Sequence, residues 1–201
     1  MNWCVMNGCL PAAYEYDNRV YEMHTDFREW MKFELLLTDR DISDDEKSLR
    51  LKEIIFPEVP DDDGLMDFII WFYNCGKEPY VSKKSDGLRE KSGRGAKNRS
   101  PVYSFEHDFD FIYAAFMELY GIDLVSVSYL HWWKFKAMFK SLHDCRFSDI
   151  VGYRSEKITS KTPEYRKNFL NDMKKIYALP RSLSEQQKID ELKRMKEKMG
   201  Y

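Results

Sequence analysis

The densest group of residues that could perform acid–base or metal chemistry is residues 106–110 (EHDFD). An imidazole and three carboxylates so close in sequence could bind a divalent ion or share a proton. Acidic residues are also expected where a helix begins, because they satisfy free N–H groups and interact favourably with the helix dipole. We favour the helix-start interpretation, so the sequence predicts no catalytic residue and no metal ligand here.

Asp61-Asp62-Asp63 is a second acidic group, and we interpret it in the same way. A calcium loop needs oxygen ligands at alternate positions and a glycine further along the loop. Here the three acids are adjacent and Gly64 follows at once. The three aspartates are therefore predicted to begin a helix.

The cysteines and histidines are too scattered to predict a metal site or a catalytic nucleophile. No C-x-x-C pair, H-E-x-x-H pair or G-x-S-x-G elbow occurs, so we expect no enzyme and no cofactor. Cys75 and Cys145 are predicted to be reduced and to serve as small core residues. A disulfide between Cys4 and Cys9 stays open, but it needs an oxidising compartment for which the sequence has no signal.

Residues 131–136 (HWWKFK) interleave aromatic and basic side chains. On a helix, such a run can form a core face with lysine stems at its edges. It can also form a protein-binding groove anchored by tryptophan, or a stacking platform for a single-stranded nucleic acid. We rank the core first, the protein-binding groove second and the nucleic-acid platform last.

Residues 77–101 form a basic segment with eight basic and three acidic side chains. The segment is polar and contains glycine, so burial could not offset its loss of chain entropy, and a mobile surface loop is predicted. Gly93-x-Gly95 is not expected to bind phosphate, because no Gly-Lys-Ser/Thr sequence follows and no strand precedes it.

The elements that position these residues begin with a predicted β-hairpin. Residues 13–16 (AYEY) and 20–23 (VYEM) suit strands, and Asp17-Asn18-Arg19 between them suits a tight turn. Because two strands alone are marginally stable, the hairpin must pack on another element.

Three helices are predicted before the basic segment. Thr25 is expected to cap the first, and Ser43 with Glu46 forms a capping box for the second. The third begins at the three aspartates and ends at Gly76 in a left-handed conformation. The predicted apolar face of the first helix comprises Phe27, Trp30, Met31 and Leu35.

Further helices are predicted after the basic segment. One begins at Asp108 and stops at Gly121, and the next is capped by Ser126 or Ser128. That second helix has so wide an apolar surface that it must be buried centrally or covered partly by a partner. Its apolar positions are Trp132, Phe135, Phe139 and Leu142.

The C-terminal region is predicted to be a basic helical extension. Gly152 leads into it, Thr162 caps a helix with Pro163 as its first residue, and Ser184 caps the last helix. The apolar stripe of that last helix is narrow and lies among many charges, as in a surface or interface helix. Its members are Ile189, Leu192, Met195 and Met199.

The charge and composition exclude several classes of protein. The 201 residues carry a net charge of −2, with 43% hydrophobic and 15% aromatic residues. A general nucleic-acid binder has a clear basic excess, and no apolar run approaches the length that spans a bilayer. No secretory leader is expected. We therefore expect a cytoplasmic protein that binds neither nucleic acid nor membrane.

The charge is unevenly distributed along the chain. Residues 1–76 carry a net charge of −10, whereas residues 154–201 carry +6. This asymmetry could allow self-association, although solvated helix faces explain it equally well. The predicted fold is mainly α: a compact multi-helix bundle with a small N-terminal hairpin and a long basic flexible loop. The predicted domains are a helical domain, 1–153, and the basic extension, 154–201.

Three stretches carry a family resemblance. The first is residues 25–34 (TDFREWMKFE), and the second is residues 72–77 (FYNCGK), followed by the basic segment. The third is the most specific, and it comprises residues 103–108 (YSFEHD), 112–116 (IYAAF), 120–124 (YGIDL), 130–135 (LHWWKF) and 152–154 (GYR). In order and spacing they resemble the "gene product fifteen" family of long-tailed phages and prophages of Gram-positive bacteria. The resemblance covers roughly residues 10–154.

The resemblance implies a role in building the phage tail. Genes of this family typically lie between the tail-tube gene and the tape-measure gene, which is the place of the tail assembly chaperones. Such proteins keep the tape-measure protein soluble, recruit tube subunits around it and leave the particle. The resemblance therefore implies a non-enzymatic chaperone in the host cytoplasm, with the tape-measure and tail-tube proteins as partners. The alternative is a tail-completion component retained in the virion.

A partner-binding hypothesis combines the aromatic run with the basic segment. Trp132, Trp133 and Phe135 are predicted to form an aromatic anchor for a helical partner. Under this hypothesis Trp133→Ala weakens partner binding without unfolding the chain, whereas unfolding would place Trp133 in the core. The predicted contacts of the basic segment are Lys83, Lys84, Arg94, Lys97 and Arg99.

Overall fold

The computed structural model describes residues 10–39, 41–62, 64–77 and 102–179. Within these ranges the fold is mainly helical, as predicted, with one two-stranded antiparallel hairpin. The predicted basic loop and the predicted helix beginning at Ser184 lie outside the described residues, as do Cys4 and Cys9. The strands are β1 (Ala13–Tyr16) and β2 (Arg19–Glu22), and the helices are α1 (Phe27–Thr38), α2 (Asp44–Ile55), α3 (Leu65–Tyr73), α4 (Phe109–Tyr120), α5 (Trp132–Lys140), α6 (Arg146–Ser155) and α7 (Glu164–Ile176).

The predicted hairpin forms, but its turn is Asp17-Asn18 alone, because Arg19 already belongs to β2 and pairs with Tyr16. Asp17 and Asn18 have φ angles of 48° and 57°. Aspartate and asparagine both tolerate this left-handed conformation. Tyr14 packs its ring 4.6 Å from that of Phe68 on α3 and donates its hydroxyl hydrogen to the Asp62 carboxylate. That hydrogen bond, with a smaller contribution from burial, raises the pKa of Tyr14 to about 12. The hairpin is thus held on the helices, as its low intrinsic stability requires.

Several helix starts differ from the prediction by one or more residues. Asp26, not Thr25, caps α1, because its Oδ1 accepts from the backbone N–H of Arg28 at 3.0 Å. The third helix begins at Leu65 after Gly64, whose N–H donates to Asp62. Pro163 is the N-cap of α7 rather than its first residue.

The largest difference precedes α5, which begins at Trp132 and is capped by His131 rather than by Ser126 or Ser128. Residues 124–130 are held in a non-helical conformation by α1. The Arg28 guanidinium donates to the carbonyl oxygens of Leu124 and Val127, at 3.1 and 2.6 Å. These long-range contacts with α1 outweigh the local capping preference of the serines.

The core is formed by one aromatic cluster. Trp30 stacks on Phe72 and Trp132, at centroid distances of 4.6 and 6.0 Å, so α1, α3 and α5 meet there. Leu35 was predicted to lie on the core face of α1, but it is 38% exposed, and Phe33 is buried instead. The core positions of α1 are therefore Phe27, Trp30 and Phe33, which repeat every three residues.

The predicted stop at Gly121 is confirmed, since this residue is the left-handed C-cap of α4, with a φ angle of 62°. Gly76 is also left-handed, with a φ angle of 69°, but α3 already ends at Tyr73 and has Asn74 as its C-cap. Gly152 lies within α6, a helix that was not predicted from the sequence. Among the described helices none is long and apolar enough to cross a membrane.

Candidate protein-binding surface

The aromatic run on α5 lies in the core. Trp132 and Phe135 have no exposed surface, and Trp133 is 5% exposed. The indole N–H groups of Trp132 and Trp133 donate to the backbone oxygens of Tyr73 and Phe72, at 3.1 and 2.8 Å. The core interpretation of this run is therefore confirmed. The predicted role of these three side chains as a partner anchor does not fit this placement, because a partner cannot reach them.

The five basic residues of the hypothesis are not part of the described structure. Their predicted contact with a partner stays a prediction. They are Lys83, Lys84, Arg94, Lys97 and Arg99.

The acidic group at residues 106–110 has a structural role at its centre. Asp108 is 1% exposed and accepts two hydrogen bonds from the Arg154 guanidinium, at 2.6 and 2.8 Å. It also accepts from the backbone N–H of Ser104. His107, by contrast, is exposed, and its Nε2 lies 3.7 Å from Oε2 of Glu106. In the described ranges no group of three or more histidine, cysteine or acidic residues could hold a metal ion.

A second buried polar cluster surrounds Glu34 on α1. Its carboxylate accepts hydrogen bonds from the hydroxyls of Tyr73 and Tyr103, at 2.7 and 2.9 Å, and lies 3.5 Å from the Lys136 ammonium. The ammonium also lies over the rings of Tyr73 and Trp132. Tyr73 precedes residues 78–101 and Tyr103 follows them, so one carboxylate ties both flanks of the basic segment together.

Burial shifts the pKa values of the two tyrosines and the lysine in this cluster. It raises the pKa of Tyr73 and of Tyr103, and the Glu34 carboxylate raises both further, so both hydroxyls stay hydrogen-bond donors. Burial also lowers the pKa of Lys136, and Glu34 opposes that effect. The arrangement is enclosed by aromatic rings, and it holds α1, α5 and the two flanks of the basic segment together.

Among the described helices, α7 exposes the largest number of large apolar side chains. Tyr165, Phe169 and Ile176 are 77%, 40% and 65% exposed. Their spacing places all three on one side of the helix, and we name them the α7 stripe. Among the residues whose burial the structure describes, every other helix exposes at most one large apolar side chain, which is ordinary for a protein surface.

Polar contacts hold α7 in place with the stripe facing outwards. Leu170 of α7 is fully buried on the inner side of the helix. The Lys174 ammonium donates to the backbone oxygen of Glu156 at 2.7 Å, and the Arg154 guanidinium donates to that of Tyr177 at 2.7 Å. Because the C-terminal end of α7 is fixed to α6 and to the residue after it, and Leu170 is buried on the inner side of the helix, the stripe faces outwards.

The α7 stripe was not predicted from the sequence. Lysine and arginine are so frequent in residues 154–201 that this region is predicted to be a basic extension. The available signal was the spacing of the three apolar residues at i, i+4 and i+11, which predicts one helix face. Whether that face points to the core or to solvent was not readable from spacing alone.

Comparison with known proteins decides the family. The family described as "Bacteriophage Gp15 protein" matches residues 6–179, which is most of the chain. The chain belongs to this family. The resemblance stated from the sequence motifs is thereby confirmed. No curated protein and no solved structure matches the chain.

Membership of the Gp15 family indicates a phage-related protein. The matched region includes the whole described fold, from the hairpin to α7. It ends at residue 179, so the last 22 residues lie beyond the matched region. The α7 stripe thus belongs to the family region of the chain, close to its C-terminal end.

Proposed function

We propose that this Gp15 family member is a non-enzymatic tail assembly chaperone that binds the helical tape-measure protein through the α7 stripe. The chain also helps to recruit tail-tube subunits, acts in the cytoplasm of the infected host and is absent from the finished particle. Family membership supports the phage context, and the position of the family's genes beside the tape-measure gene supports the assembly role.

The observation that carries the proposal is the concentration of exposed apolar side chains on α7. A tape-measure protein is a long helical chain with apolar stripes that must be kept from aggregating. An amphipathic helix can lay its apolar face along such a stripe, in the helix-in-groove manner. An exposed tyrosine beside other apolar side chains is also a typical anchor of protein interfaces.

The test is co-expression with the neighbouring tape-measure gene, with copurification and solubility of the tape-measure protein as the readouts. The double variant Tyr165→Ser/Ile176→Ser should weaken binding by more than about tenfold, because anchor residues contribute on the order of 2 kcal/mol each. Both side chains are mainly exposed, so the variant should fold normally.

The matched control is Leu49→Ser/Val125→Ser. These side chains are exposed to a similar degree, 57% and 69%, and lie outside α7. Copurification should be unchanged in the control. Equal loss in both variants, or no loss in either, would contradict binding through the α7 stripe.

Mass spectrometry of purified phage particles tests the assembly role separately. A chaperone that leaves the particle should be absent from the spectrum. If the chain is present at a fixed number of copies per particle, the tail-completion alternative is correct instead.

A further inference from the structure

We propose that Asp172, in the middle of the α7 stripe, selects a partner helix that carries a lysine or an arginine within its own apolar stripe. This role rests on the proposed binding through the α7 stripe, and it defines the chemistry of the helix that the stripe accepts.

Asp172 lies on the same side of α7 as the three apolar residues of the stripe. Counted from Tyr165, Phe169 and Ile176 are at i+4 and i+11, and Asp172 is at i+7, the position that completes the spacing of one helix face. At about 100° of rotation per residue, all four positions fall within about 60° of one another. The Asp172 side chain is 67% exposed, so its carboxylate lies in solvent among the exposed apolar side chains.

The contact that Asp172 makes with Lys175 is weak. Nζ of Lys175 lies 3.9 Å from Oδ1 of Asp172, and both side chains are mainly exposed. A pair of this kind contributes little stability in water. Lys175 also lies about 60° round the helix from Asp172, at the edge of the stripe. The charge of Asp172 is therefore open to a partner.

A helix that lies along the stripe removes water from the Asp172 carboxylate. This removal is costly unless a group of opposite charge comes with the partner. A partner stripe that is wholly apolar, or that has an acidic residue at this point, is therefore disfavoured, whereas a lysine or an arginine there restores the lost interactions. Single polar positions in apolar helix seams fix the register and the choice of partner in coiled coils, and Asp172 has the corresponding place in the stripe.

The test measures the binding of three fluorescently labelled peptides to the full chain by fluorescence anisotropy. The peptides share one amphipathic helical sequence with a leucine stripe and differ only at the central stripe position, which is lysine, norleucine or glutamate. The natural chain should bind the lysine peptide more than about tenfold more tightly than the glutamate peptide. Asp172→Lys should reverse this order, and Asp172→Asn should reduce the difference to less than about threefold.

The matched control is Glu164→Gln. Glu164 is another exposed carboxylate of α7 with a lysine three residues further on, but it lies about 100° round the helix from Tyr165 and so off the stripe. The preference for the lysine peptide should be unchanged in this control. Because Asp172 and Glu164 are both mainly exposed, all of these variants should fold normally.

Co-expression with the tape-measure gene separates failure of this role from failure of the proposed function. Asp172→Lys should reduce copurification of the tape-measure protein as strongly as Tyr165→Ser/Ile176→Ser does, whereas Glu164→Lys should not. Equal binding of the three peptides, or full copurification with Asp172→Lys, would overturn the role of Asp172 even where the serine variant still loses binding. Binding of none of the peptides, or full copurification with the serine variant as well, would overturn binding through the stripe and the role of Asp172 together.

Discussion

The indole N–H of Trp133 donates to the backbone oxygen of Phe72 inside the core, at 2.8 Å. The ring also packs edge-on against Trp71, with the centroids 5.5 Å apart. A side chain with both of these contacts contributes to the stability of the fold, and a partner would have to unfold α5 to reach it.

Trp133→Ala should therefore destabilise the chain by about 3 to 5 kcal/mol, because it removes a large buried ring and leaves a cavity. Urea unfolding followed by circular dichroism measures the effect. Trp133→Phe, which keeps an aromatic ring but loses the hydrogen bond, should cost less. An alanine variant of normal stability that fails to bind the tape-measure protein would return Trp133 to the role of a partner anchor.

At the scale of the elements, the first turn of α5 depends on a neutral histidine. Nδ1 of His131 accepts from the backbone N–H of Trp133 at 3.0 Å, so the ring proton lies on Nε2, which donates to the backbone oxygen of Pro11 at 3.1 Å. Burial lowers the pKa of His131 below its usual value of 6.5; the hydrogen bond to Pro11 opposes this effect, and Lys134 contributes a smaller lowering. One side chain thus caps α5 and fixes the chain before β1.

Acid should weaken this contact. Because the pKa of His131 is lower in the folded chain than in the unfolded chain, the unfolded state binds the proton more readily. The stability contributed by neutral His131 is therefore complete well above pH 6.5 and is lost as the pH falls below that value.

The measurement is the urea midpoint at pH 7.5 and pH 5.5 for the natural chain and for His131→Asn. Asparagine can still cap a helix, but it does not titrate. At pH 7.5 the variant should be less stable by about 0.5 to 1.5 kcal/mol, the usual value of one hydrogen bond. Between pH 7.5 and pH 5.5 the urea midpoint of the variant should fall less than that of the natural chain. An equal fall in both chains would show that protonation of His131 is not coupled to unfolding.

At the scale of the whole molecule, Glu34 joins four separate parts of the chain. It lies on α1 and binds Tyr73 at the end of α3, Tyr103 before α4 and Lys136 on α5. The two buried ionic groups stabilise each other only as a pair, because either one alone would be left in a poorly solvated environment.

Glu34→Ala should destabilise the chain by about 3 to 5 kcal/mol, since it leaves the Lys136 charge without its buried partner. Lys136→Met keeps the apolar stem and removes the charge. The double variant should lose less stability than the two single variants together, with a coupling of about 0.5 to 3 kcal/mol. Urea unfolding of the natural chain, the two single variants and the double variant provides the double-mutant cycle. Strictly additive losses of stability would mean that Glu34 and Lys136 act independently.

The sequence by itself determined the local features of this protein. The turn at Asp17-Asn18, the N-cap at Ser43 and the helix stop at Gly121 follow from backbone preferences that act within a few residues, and each is present in the structure. The family could also be read from motifs, because their order and spacing along the chain need no coordinates.

Only the tertiary structure decided which apolar faces are buried. Arg28 contacts the backbone about a hundred residues further along the chain and thereby sets the start of α5, and α6 forms in a stretch for which the sequence predicted no helix. Spacing alone assigned the partner surface to α5, whereas packing buried that face and left the α7 stripe exposed. The physical reason is that helical periodicity defines a face, but burial depends on which other elements are close enough to cover it.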